Sequence, residues 1–208
     1  MRKLKPPDAG LPAIAVKTDV NPDGKGLSGF LRDWRDSQPG IVVSKSRHQI
    51  LAEFFTSMLV LSAKIRFRPS VDAEYYLYWI DGEWSLSLIA PGEWTDERRA
   101  GFAGTCVLQR DMTWTITPSE LLAGENAVSD AVCNFYDAFI RELHADLALE
   151  EILPSYVNGL PYFQRLYASA LSRSLRATIT LGDQGSTSCR KWLTLLPQRQ
   201  NVLLDYAG

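Results

Sequence analysis

The sequence predicts an α+β protein with a central antiparallel sheet of about four strands, built from two hairpins, and helices from both ends packed on it. Three observations carry this. An apolar and aromatic run, Tyr75–Ile80, precedes Asp81-Gly82 in the middle of the chain, and apolar residues alternate with polar ones after it. Apolar residues recur at helical spacing before residue 65 and after Pro118. Turn residues separate these segments, and no internal repeat or low-complexity run interrupts them.

Residues 1–40 are rich in Pro, Gly and Asp, with the cluster Asn21-Pro22-Asp23-Gly24-Lys25-Gly26. They predict an extended, partly disordered arm ending in a short helix, Leu27–Arg35. A single α+β domain is expected over 41–208, with a sheet region at 74–117 and a helical region at 119–208. Within 45–65, Leu51, Phe54, Met58, Leu61 and Ile65 form one helical stripe. Ser44 or Ser46 is placed to cap it, and Lys64, Arg66 and Arg68 suit its negative end.

Tyr75–Ile80, Asp81-Gly82 and Glu83–Ala90 read as a hairpin, because Asp-Gly favours a turn with two positive φ angles. A two-residue loop pairs Trp79 with Trp84, Leu77 with Leu86 and Tyr75 with Leu88 on a core face. The other face pairs Tyr78 with Ser85 and Tyr76 with Ser87, and is half polar. Pro91 ends the second strand, and 93–97 reads as a turn or short helix. Phe102–Gln109 and Met112–Ile116 predict a second hairpin around Arg110-Asp111. Helices follow at 126–147 and 161–175, then a short strand at Ala177–Leu181, a Gly/Ser loop and a helix Cys189–Leu196.

The chain has 208 residues, 46% of them hydrophobic, with a net charge of -2, as in an ordinary globular protein. Three cysteines, Cys106, Cys133 and Cys189, are too few for a disulfide framework or a four-cysteine zinc site. The start has no signal-peptide core and the longest apolar run is Tyr75–Ile80, so a cytoplasmic protein with no membrane partner is expected. Two distant histidines make no sequence metal motif, and no cofactor is expected. Residues 1–70 carry 12 basic and 6 acidic side chains, and residues 71–208 carry 10 and 18. The overall balance disfavours a nucleic acid partner.

The centre resembles the family known as domain of unknown function 2452. The matching residues are Asn21-Pro22, Lys25-Gly26-Leu27, Tyr75-Tyr76-Leu77-Tyr78, Ser87–Trp94, Phe102, Gly104, Leu108 and Asp111-Met112-Thr113-Trp114, over roughly 21–117. Eukaryotic members of that family carry His and Cys before the Tyr-Tyr-Leu-Tyr strand. Phe67–Glu74 has neither, so a metal role there does not carry over. The resemblance implies a shared fold for the hairpin region and no known activity, cofactor or substrate.

Four candidates for chemistry stand beside plainer readings. Gly182–Ser188 leads into a helix beside Arg190 and Lys191, which with Arg173 and Arg176 suit a small phosphorylated or anionic ligand; the plain reading is a flexible loop with Ser188 as cap. Cys189 at a helix start suits a nucleophile, but no histidine adjoins it in sequence. Asp130, Asn134, Asp137, Arg141 and His144 share one stripe, either a metal site or a solvated face with an Asp137–Arg141 pair. Tyr76, Tyr78, Trp79, Trp84, Trp94 and Trp114 suit either stacking on a partner or core packing. With no catalytic constellation, the reading leans away from an enzyme. It favours a binding or assembly protein whose surface combines Tyr76 and Tyr78 with Glu93 and Trp94. Its partner is another protein or a second copy through the helices at 126–147 and 161–175.

Overall fold

The structure, a computed structural model, describes residues 27–144, 146–154, 160–182, 187–196 and 203. Helix α1 spans Leu27–Asp36 and α2 spans Arg47–Leu61. Ser46 caps α2, its Oγ accepting from the Gln49 N–H at 3.2 Å. The expected stripe understates this helix. Residues 50–52 and 54–61 are all buried, which is the pattern of a helix enclosed on every side. Ile65 lies beyond its end.

Strands β1 (Glu74–Ile80) and β2 (Glu83–Ser87) form the expected hairpin. Asp81 and Gly82 both have positive φ, 53° and 79°, as the right-handed strand twist demands of a two-residue loop. Trp79 faces Trp84, Leu77 faces Leu86, Tyr78 faces Ser85 and Tyr76 faces Ser87. The expected Tyr75–Leu88 pair does not form. The Ser87 hydroxyl accepts the Ile89 N–H at 3.0 Å, turning the chain away from β1. Strands β3 (Phe102–Leu108) and β4 (Trp114–Pro118) make the second hairpin, and the sheet order is β2-β1-β3-β4, antiparallel throughout. β4 starts at Trp114 rather than Met112, because Met112 takes the left-handed turn conformation, φ 69°.

A short helix, α3 (Asp96–Arg99), precedes β3; α4 (Ala127–Leu143), α5 (Tyr162–Leu181) and α6 (Cys189–Leu193) follow β4. The expected strand at 177–181 is instead the last turn of α5. Thr178 and Thr180 donate their hydroxyls to the Ser174 and Arg176 carbonyls, so these β-branched residues sit in the helix with their polar groups bonded. Burial of Ile179 then outweighs its strand preference.

Helices α2 and α4 pack on one sheet face. Phe54 and Phe55 of α2 meet Phe135 and Phe139 of α4 edge to face at 5.2–5.6 Å, against Tyr75, Leu77, Trp84, Leu86, Cys106 and Trp114 from the strands. Ser57 reaches from α2 to accept the Trp114 N–H at 2.8 Å. Gln164 of α5 donates to the carbonyls of Leu61 and Ala63 at 3.0 and 2.7 Å, bonding acceptors exposed where α2 ends.

Candidate functional site

Side-chain alternation gives the sheet two unlike faces. On the face away from the helices, Tyr76 is half-buried, flanked across the strands by Ser87 and Thr105, with Thr117 one strand further. The Tyr76 and Phe102 rings lie 6.3 Å apart.

Tyr78, on the same side of β1, is not at the surface. It is 0% exposed, because residues 88–94 fold back over it. Its hydroxyl donates to the Ile89 carbonyl at 2.9 Å, Trp94 packs edge-on at 6.2 Å, and Phe102 lies 5.4 Å away. Burial pushes the phenol up to about 12, so it stays a donor at neutral pH. Of the four residues expected to make this surface, Tyr78 is therefore its internal support, while Tyr76 and Trp94 are partly accessible and Glu93 is exposed.

The turn itself is tightly bonded. Ala90 accepts the Glu93 N–H at 3.0 Å and donates its own to the Glu93 carboxylate at 3.3 Å, and Pro91 accepts the Trp94 N–H. The Arg98 guanidinium lies 4.4 Å from the Trp94 ring centroid. These bonds hold two apolar side chains outward, Leu88 at 62% and Ile89 at 40% exposure. Both fall within the strand expected from the sequence, Glu83–Ala90, which the structure ends at Ser87. The signal was Ser87, whose hydroxyl ends the ladder.

A second cluster also escaped the sequence reading. Lys45 Nζ lies 2.6 Å from a Glu53 oxygen and 2.5 Å from an Asp111 oxygen, with all three side chains nearly enclosed. Asp111 Oδ1 also accepts the Thr113 N–H and hydroxyl, and Gln49 donates to Glu53. Burial alone would lower the Lys45 ammonium, but its two carboxylate partners outweigh it and hold it above the ordinary value. A lysine so held is charged, so this cluster locks structure rather than supplying a nucleophile. Nothing local in the sequence joins Lys45 to Asp111; only the fold does.

The C-terminal candidates are scattered among other contacts. Residues 183–186 of the expected anion loop lie outside the described residues. Arg173 reaches toward α1, its guanidinium 4.2 Å from the Trp34 ring centroid. Arg176 donates to the Glu150 carbonyl at 2.8 Å. Arg190 and Lys191 are exposed on α6. Ser188 precedes α6 without a side-chain cap and bridges to Ala148. Cys189 is fully buried, and burial pushes its thiol up, against the thiolate that a nucleophile requires. On α4, Asp130, Asn134 and Arg141 are exposed and Asp137 is half-buried, and His144, just past the helix end, is exposed. Among the described residues no three His, Cys, Asp or Glu side chains are grouped to hold a metal ion. No helix among them is long and apolar enough to cross a membrane.

Residues 42–136 match the model of a family described as "Protein of unknown function (DUF2452)". The matched segment is just under half of the chain. It runs from the connector before α2, through the whole sheet, into α4. It holds Tyr76, the 88–94 turn and the Lys45–Glu53–Asp111 cluster, and leaves out α1, α5 and α6. The Asn21-Pro22 and Lys25-Gly26-Leu27 motifs precede it. No curated protein and no solved structure matches the chain.

Proposed function

We propose that this protein is a non-catalytic binding or assembly protein, and that its partner is another protein seated on the open sheet face and the 88–94 turn. The observation that carries this reading is the pair Leu88 and Ile89, two exposed apolar side chains on a turn whose backbone is already bonded in place. A preordered loop loses little conformational entropy on binding, and apolar anchors beside half-buried aromatics are the usual centre of an interface. Tyr76 extends that surface across the sheet, Trp94 with Arg98 borders it, and Glu93 supplies a charge at the rim.

The test compares full-length protein with Leu88→Ser/Ile89→Ser and with Tyr76→Ala. Retained partners are quantified by mass spectrometry, and thermal midpoints are measured alongside. The reading expects one discrete partner, lost in both variants, with midpoints near the parent's. Equal retention by all three proteins would remove it. Concentration-dependent light scattering lost in the same variants would identify a second copy as the partner. Residues 183–186 of the rival anion site lie outside the described residues, and Arg176 donates to the Glu150 carbonyl, so no observation of the 182–191 segment favours it.

A further inference from the structure

We propose that the seam between α1 and α5 binds an oxyanion, the phosphate or carboxylate group of a small ligand, through Arg173 and Ser169. On α5, Tyr162, Ser169 and Arg173 are spaced by seven and four residues and therefore share one face. Both ends of that stripe touch the α1 segment. The Tyr162 hydroxyl donates to Asp33 at 2.8 Å, and the Arg173 guanidinium lies 4.2 Å from the Trp34 ring centroid.

Between them, Ser169 is 6% exposed and its hydroxyl has no hydrogen-bond partner among the described residues. Arg173 Nε, one turn further, is also buried without an acceptor among the described residues. Its only hydrogen bond among the described residues is a long one, Nη2 to the Ser37 carbonyl at 3.4 Å. Burial pulls this guanidinium below its ordinary value, with no charged group offsetting it. The neighbouring acids are already engaged, Asp33 with Tyr162 and Arg68, and Asp36 with Arg68. Helix α5 contains three arginines and no acid, and one of them, Arg165, lies one turn before Ser169.

Buried donors without acceptors are costly, and two side by side on a helix with excess positive charge suit one anion. Two oxygens of a phosphate or carboxylate match the forked edge of a guanidinium, and a phosphate has a further oxygen for the Ser169 hydroxyl. The Trp34 ring, its centroid 4.2 Å from the guanidinium carbon, holds that end of the side chain in place before the ligand arrives.

The test measures thermal midpoint and calorimetric binding of the full chain with inorganic phosphate and with acetate, each against sodium chloride at matched ionic strength. Ser169→Ala, Arg173→Met and Arg190→Ala are compared. Alanine suits a helix interior, so Ser169→Ala keeps the fold even where Arg173→Met loosens α1. The proposal expects saturable binding by the parent and by Arg190→Ala, weakened several-fold in Ser169→Ala and lost in Arg173→Met. A response to phosphate alone identifies a phosphorylated ligand, and a response to both anions admits a carboxylate. No saturable response by the parent overturns the proposal. So does binding that Ser169→Ala leaves unchanged, or binding lost in Arg190→Ala, which places the anion at α6.

Discussion

The Lys45 ammonium lies 2.5 Å from an Asp111 carboxylate oxygen across 66 residues of chain, and 2.6 Å from Glu53 on the next helix. This one side chain ties the connector before α2 to the β3–β4 turn. The Gly40 N–H strengthens the tie by donating to the Arg110 carbonyl at 2.8 Å, so the connector runs close along that turn. Replacing Lys45 with Met leaves two buried carboxylates facing each other. The expected loss is about 3–5 kcal/mol by urea denaturation, the usual result of breaking a buried pair from one side. Adding Glu53→Gln to Lys45→Met recovers part of that loss. A Lys45→Met effect below about 1 kcal/mol would make the cluster no stronger than a surface pair.

The two carboxylates give opposite pH slopes. Burial pushes Asp111 up, but Lys45 and the two Thr113 donors outweigh it and hold the carboxyl below its usual range. Its contribution is therefore present above the unfolded value of about 4 and lost as pH falls through the folded one. Burial lifts Glu53 above its ordinary value despite Lys45. Its ionisation therefore removes stability as pH rises from the unfolded value of about 4 through the folded one. Urea midpoints followed from about pH 3 to pH 7 are expected to show a flatter acid limb in Asp111→Asn and a steeper one in Glu53→Gln. Identical limbs in the parent and both variants would contradict these assignments.

Tyr78→Phe removes the donor that bonds the Ile89 carbonyl while leaving the ring packing in place. The expected cost is about 1 kcal/mol, with faster amide exchange confined to residues 89–94. Absorbance titration provides an independent check. The Tyr78 phenol, pushed up to about 12 by burial, belongs to the late-ionising tyrosines and disappears from that phase in the variant. An unchanged late phase would show that Tyr78 is accessible to solvent.

The three cysteines differ in surroundings, two buried and Cys133 half-buried. Iodoacetamide at neutral pH is expected to modify Cys133 first. Cys106 and Cys189, whose thiols burial pushes up, are expected to react only on unfolding. Rapid alkylation of Cys189 in the native protein would restore it as a candidate nucleophile.

The sheet was legible in the sequence because its signals are local. Asp81-Gly82 specifies a positive-φ turn, and alternation then sets the register from Trp79 and Trp84 back to Tyr76 and Ser87. The last turn of α5 is not legible in the sequence because Thr178, Ile179 and Thr180 favour strands on propensity alone; helical hydrogen bonds and burial decide otherwise. Lys45 with Asp111, and Arg173 with Trp34, join segments far apart in sequence, and no periodicity reports such contacts. At the candidate surface, Tyr76 and Trp94 were visible as aromatics. The burial of Tyr78 and the exposure of Leu88 both depend on how one short turn folds back.

The central claim is that the 88–94 turn and its sheet face seat a protein partner. Its most direct test places a photoreactive phenylalanine analogue at position 88 and, as control, at position 181. Leu88 and Leu181 are matched in exposure, 62% and 59%, but Leu181 lies at the end of α5. Irradiation in cell extract is expected to give one discrete adduct from position 88, with a second copy or another protein, and none from position 181. No adduct at position 88, or the same adduct from both positions, would contradict the claim.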